Sequence, residues 1–183
     1  MYLKIISGEF KGRVIKGYDI DGTRPTMDRV KESLFGTIQN YVPDSIVLDL
    51  FAGTGNLGFE ALSNRAKYCY FNDINIKCFK FINNVIKELN LLNKTKVLNM
   101  NYKSTLKYFK DNNIKFDLIF LDPPYKMDIL NEIIDYIKDN KLIKENGLII
   151  CEIDNLYLNI DYYQKIKEKK YGSKYIIIYK NIL

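Results

Sequence analysis

The spacing of apolar positions changes twice along this chain. Residues 3–7 and 12–16 are short strand-like runs around Gly8-Glu9-Phe10-Lys11, which predicts a hairpin. Val30, Leu34, Ile38 and Tyr41 then recur at i, i+4, i+8 and i+11, one face of a helix that Thr26 can cap and Asp28 can open. Pro43-Asp44 ends it. Beyond that point, apolar runs at 46–51, 68–72, 96–100, 116–121 and 148–153 read as strands, the last introduced by Asn146-Gly147. Between them, 57–65, 76–89, 104–110 and 129–137 read as helices. Residues 164–169 and 174–180 flank Tyr171-Gly172-Ser173 as an antiparallel hairpin. Five β/α alternations closed by a hairpin predict an α/β fold with a doubly wound, mostly parallel, seven-stranded sheet. The expected organisation is one domain over 1–183, with a hairpin-and-helix extension at 1–42 and the α/β core at 43–183.

Composition narrows the classes. With 183 residues, 47% apolar and 27% charged, the chain has the makings of an ordinary soluble domain. No apolar run approaches the roughly 20 residues of a membrane helix, and the first residues do not read as a signal peptide. Three cysteines without a CxxC pair suit a reducing, cytoplasmic setting and argue against a zinc site or disulfide scaffold. There is no histidine, so any mechanism that needs imidazole is excluded, and no metal is expected. A net charge of +6 suits a polyanionic partner, discounted here because Lys, Asn and Ile are frequent throughout.

Ligands of doubly wound sheets sit outside the carboxyl ends of the strands. The first core strand ends in Asp49-Leu50-Phe51-Ala52-Gly53-Thr54-Gly55-Asn56-Leu57-Gly58, a G-x-G-x-x-G turn that lets a cofactor approach the backbone. Dinucleotide enzymes share that pattern, and a tight turn alone would also need glycine. Asp73, 18 residues past Gly55, can accept hydrogen bonds from both hydroxyls of a ribose or simply cap the next helix. Asn101, past the third strand, is either an adenine-edge contact or a solvated loop residue.

Asp122-Pro123-Pro124-Tyr125 follows the apolar strand 116–121 directly. Asp-Pro starts turns and Pro-Pro stops strands. A plain turn, however, needs no acid, two prolines and an aromatic together. The exocyclic amine of a base is a poor nucleophile, because its lone pair is delocalised into the ring. Two rigid acceptors, the Asp122 carboxylate and the Pro123 carbonyl, would draw that nitrogen towards tetrahedral geometry. Tyr125 would offer a face for the base to stack on.

The glycine loop, Asp73 and DPPY together resemble a class I S-adenosylmethionine-dependent methyltransferase acting on an amino nitrogen. More narrowly, the chain resembles the RsmD family, the 16S ribosomal RNA guanine-N2 methyltransferases, over nearly its whole length. The likeness includes Ile6-Ser7-Gly8 with Lys11-Gly12-Arg13, and Arg24-Pro25-Thr26 with Asp28-Arg29-Val30-Lys31-Glu32 and Leu34-Phe35. It continues through the glycine loop, Glu60-Ala61-Leu62-Ser63, DPPY, Glu152 and the Tyr171-Gly172 hairpin.

The resemblance implies a Rossmann-like fold with S-adenosylmethionine held by Asp49, Phe51, Gly53, Gly55, Asp73, Asn101 and Asp122. It places Asp122, Pro123, Pro124 and Tyr125 at the target amine. Arg24, Thr26 and Arg29 would lie at the cofactor and substrate mouth, where they would meet RNA. Lys11 and Arg13, like Arg24 and Arg29, read by their charge either as RNA phosphate contacts or as solvated surface residues. The implied partner is small-subunit ribosomal RNA or the assembling 30S subunit, met by a monomer. Two departures stand out: Asn72 replaces an apolar residue before the acid, and Asn101 replaces a common aspartate. The alternatives are a methyltransferase of adenine N6 or of a protein glutamine, an NAD-binding enzyme, and a non-catalytic RNA-binding module.

Overall fold

The computed structural model describes residues 2–16, 28–124, 129–154, 158 and 160–182. Arg24, Pro25, Thr26 and Tyr125 lie outside the described residues. Strands β1 (Tyr2–Lys4) and β2 (Val14–Lys16) pair antiparallel, with Leu3 opposite Ile15. Helix α1 (Asp28–Ile38) follows and buries the expected face of Val30, Leu34 and Ile38.

In the core, β3 (Ile46–Asp49), β4 (Tyr68–Asn72), β5 (Thr95–Leu98), β6 (Phe116–Leu121) and β7 (Ile143–Ile153) are mutually parallel. Helices α2 (Asn56–Ser63), α3 (Ile76–Glu88), α4 (Tyr102–Asp111) and α5 (Leu130–Asp139) connect them. Strands β8 (Gln164–Tyr171) and β9 (Lys174–Lys180) close the sheet antiparallel, in the order β5-β4-β3-β6-β7-β9-β8. The chain winds outward from β3 to β5 and then returns to place β6 on the other side of β3. That reversal opens the crevice where α/β sheets bind ligands, between the carboxyl ends of β3 and β6.

Period-2 alternation sorts the core into two layers. Val47, Phe71, Phe120, Ile150 and Ile178 pack beneath α1, α2 and α3, whereas Leu48, Ile119, Cys151 and Ile177 pack beneath α4 and α5. The expected seven-stranded sheet is present, with two local differences. β7 begins at Ile143 rather than 148, because the turn-like Asn146-Gly147 forms an irregularity inside the strand. Asn146 has φ 60°, and the two residues stay paired to Asn181 through backbone bonds of 2.8 and 2.9 Å. The fifth alternation lacks its helix among the described residues.

The N-terminal extension is bound tightly to α2. Glu60, fully buried, accepts hydrogen bonds from the Ile6 amide at 2.7 Å and the Ser7 hydroxyl at 2.9 Å. Lys31, equally buried on α1, lies 3.1 Å from Glu60 Oε1, donates to the Lys4 carbonyl and reaches Asn56 Oδ1 at 3.3 Å. Gly8 crosses Ser63 so closely that a Cβ there would stand 2.0 Å from the Ser63 carbonyl oxygen. A buried charge pair is stable only when its remaining donors and acceptors are met, and these are.

Candidate active site

Helix α2 begins where the glycine loop ends, but its cap position is Gly55, which has no side chain to offer. Asp49 supplies the missing acceptor from the end of β3: its Oδ2 takes the Gly58 amide at 3.0 Å. The helix can come that close because position 58 lacks a side chain. A Cβ on Gly58 would stand 2.2 Å from the Phe71 ring. Gly53, by contrast, faces open space, with nothing within 4 Å of a Cβ built on it. Its amide donates to Asp73 Oδ2 at 2.8 Å, while Asp73 Oδ1 accepts the Asn75 amide at 2.8 Å. Asp73 therefore fixes the loop and the turn into α3, and both oxygens keep lone pairs for a further donor.

Asp49 is almost fully buried and is pushed up to about 7. Desolvation leads, opposed by the Gly58 amide and reinforced by the charges of Asp122 and Asp73. Asp122, half-buried after β6, is pushed up to about 6 by its own burial. The Lys174 ammonium pulls it down and Asp154 pushes it further up. Pro123 is buried and Pro124 exposed. Three carboxylates thus converge on one crevice, an environment that favours a cationic ligand and repels a pyrophosphate.

Phe51 is half-buried, its ring 6.0 Å from that of Tyr102, so the two form an aromatic wall beside the crevice. Asn101 is exposed and caps α4: its Oδ1 accepts the Ser104 amide at 2.9 Å, leaving its amide donors for a ligand. Asn72 is buried and fully used. It donates to the carbonyls of Leu50 and Met100, both at 3.1 Å, and accepts the Thr105 hydroxyl at 2.9 Å. The departure at position 72 thus ties the ends of β3, β4 and β5 together. Burial raises all three thiols, Cys78 to about 12, so none is a ready nucleophile.

The basic residues divide. Arg29 is exposed in the first turn of α1. Lys11 and Arg13 are exposed too, but their turn is held at the far end of α2 by the Glu9 and Phe10 amides, which donate to Ser63. Eight helical residues, about 12 Å, separate that end from the glycine loop. Lys11 and Arg13 therefore lie away from the crevice. A cavity of about 490 Å3 lined by Gly8, Phe35, Gln39, Ser63 and Arg65 also lies at that far end and is no part of the site. Sequence reasoning gave no role to Lys31, Glu60, Asn72 or Lys174. The charge of Lys31 and Lys174 was readable, but their partners were not.

Among the described residues, no helix is long and apolar enough to cross a membrane, and no cluster of metal-ligating side chains occurs. Residues 3–180 match a family model described as conserved hypothetical protein 95. The putative rRNA methyltransferase YlbH of Bacillus subtilis is 35% identical over 181 residues, 97% of this chain and 98% of that protein. The ribosomal RNA small subunit methyltransferase D of Haemophilus influenzae is 34% identical, across 98% of this chain and 94% of its own. Among solved structures, the putative methyltransferase yhhF from Escherichia coli superposes with a TM-score of 0.87 at 28% identity, covering 99% of this chain and 98% of that one.

Proposed function

We propose that this chain, which belongs to the ribosomal RNA small subunit methyltransferase D family, transfers a methyl group from S-adenosylmethionine to the exocyclic N2 amine of one guanine in small-subunit ribosomal RNA. The observation that carries this reading is the row of carboxylates at the switch point, with Asp122-Pro123-Pro124 on one side and the open backbone of Gly53 on the other. The crevice fits the methyl donor. Asp49 and Asp122 suit its positive groups, Asp73 has lone pairs for the ribose hydroxyls, and Phe51 and Asn101 flank the space for the adenine. When bound, S-adenosylmethionine supplies an electrophilic methyl group on a cationic sulfonium.

The chain's own residues do the rest. Asp122 and the Pro123 carbonyl accept the N–H groups of the target amine and localise its lone pair, and the buried proline keeps these acceptors rigid. Their work is to position and polarise, and no covalent intermediate is required. Asp122, lifted to about 6, is also a fitting first acceptor for the proton the amine sheds. Tyr125 is assigned the stacking face on sequence grounds. Arg24, Thr26 and Arg29 are assigned to the RNA at the mouth, and Lys11 and Arg13 to phosphates farther out. The same acidic row disfavours the NAD-binding alternative, since a pyrophosphate would face three carboxylates.

The test supplies labelled S-adenosylmethionine with small subunits, and with bare ribosomal RNA, that lack the modification. Label is expected at N2 of a single guanine. Label entering adenine, DNA or a protein glutamine would reject the assignment.

A further inference from the structure

Glu152 belongs to the sequence likeness but has no part in the chemistry described so far. It stands at the carboxyl end of β7. Leu121 of β6 pairs with Cys151 of β7, so Asp122 and Glu152 are the next positions on neighbouring strands. On the other side, Ile153 pairs with Tyr175, which brings Lys174 at the start of β9 across from Asp154. Alternation puts Glu152 on the same sheet face as Phe120, Ile150 and Ile176, the face that also carries Asp49. Its side chain is 5% exposed. One oxygen, Oε1, is ion-paired with Lys174. The other, Oε2, is buried and has no hydrogen-bond partner among the described residues. A buried carboxylate oxygen left without a donor costs free energy, so its retention calls for a partner or a catalytic role.

In sheet order β6-β7-β9, the strand ends beside the crevice carry an acid, an acid and a cation: Asp122, Glu152 and Lys174. The Watson–Crick edge of guanine presents, in order, the N2 amine as donor, N1–H as donor and O6 as acceptor. The two series are complementary. Adenine offers its amine beside a bare N1 lone pair, which a carboxylate repels.

We propose that Glu152 selects the base: its Oε2 accepts the N1–H of the target guanine while Asp122 holds the N2 amine. Lys174 acts as a positioning residue: its pairing with Oε1 holds the Glu152 carboxylate so that Oε2 meets the N1–H. This rests on the guanine-N2 reading above and deepens it.

2-Aminopurine keeps the 2-amine but has a bare N1 and a hydrogen in place of O6, so the N1 contact is read from the change in preference between wild type and the Glu152 variants, in which Lys174 is retained. At the nucleotide mapped as methyl acceptor, RNA with guanine and RNA with 2-aminopurine are compared for wild type, Glu152→Gln and Glu152→Asp. Wild type is expected to prefer guanine in kcat/KM by roughly 100-fold or more. Glu152→Gln, whose amide can donate to a bare N1 and accepts the guanine N1–H without the charge, lowers the guanine rate about tenfold and shrinks the preference to within about 10-fold. S-adenosylhomocysteine affinity, measured by calorimetry, stays unchanged. If the Gln variant does not fold, Glu152→Asp decides. It keeps the charge, withdraws the oxygen by one methylene, and is expected to lower the guanine rate and the preference together.

Full activity in the folded variant, or equal loss on both bases with the preference intact, overturns the proposal and leaves Glu152 a structural ion pair. A wild type that methylates no guanine N2 overturns the parent reading as well, and that appears before any variant is made.

Discussion

Glu60 and Asp49 are both buried carboxylates, on α2 and on the strand that leads into it, and they are treated in opposite ways. Glu60 is completed inside the chain by the Lys31 ammonium, the Ile6 amide and the Ser7 hydroxyl. Asp49 has one backbone amide and two acidic neighbours, and it is pushed up to about 7. The first acid holds the extension to the core. The second sits in a crevice whose charge a cationic ligand would balance. The contrast separates fold-holding acids from ligand-facing acids by what surrounds them, since residue type is the same.

The largest expected effect lies on the structural side. Lys31→Met leaves Glu60 buried without its cation and is expected to cost about 3–5 kcal/mol in urea denaturation. A loss below about 1 kcal/mol would mean the pair contributes little to the fold. On the ligand side, Asp122→Ala is expected to lower methyl transfer by about 100- to 1,000-fold while S-adenosylhomocysteine affinity stays nearly intact. Equal loss of both would move the amine site elsewhere. Asp73→Ala removes the tie to the Gly53 amide and the ribose acceptor together, so cofactor affinity should fall roughly tenfold. Unchanged affinity in calorimetry would displace the ribose contact.

The smallest effect is a pH dependence. An acid whose pKa in the folded state exceeds its ordinary value of 3.8 favours folding when protonated. The stability owed to Asp49 is complete below about pH 4 and is lost as pH rises through about 7. Asp49→Asn should therefore flatten the melting temperature between pH 5 and pH 8, by about a few degrees. Affinity for S-adenosylmethionine runs the other way and strengthens as Asp49 and Asp122 ionise. S-adenosylhomocysteine, which lacks the sulfonium charge, should follow pH less. Parallel pH curves for the two ligands would show that the acids do not face the sulfonium.

Much of this was legible along the chain, because it is local. The period-2 and period-3.6 runs gave the strands and helices, and the loop 53–58, Asp73 and Asp122 follow directly from strand ends. Asn146-Gly147 misled, since a turn-forming pair can also sit inside a strand when its backbone finds partners across the sheet, here Asn181. Lys31–Glu60 and Lys174–Glu152 were hidden because each joins elements distant in sequence, and a charged side chain reads as surface until its partner is known. Lys11 and Arg13 read as RNA contacts along the chain, but the docking of their turn on Ser63, which carries them away from the crevice, is a tertiary fact.

A crystal of the protein with S-adenosylhomocysteine tests the central claim most directly. The thioether sulfur is expected over Gly53, with the Asp122 carboxylate and the Pro123 carbonyl facing the space just beyond it. A sulfur seated away from residue 122, or a ligand bound outside the crevice between β3 and β6, would contradict it.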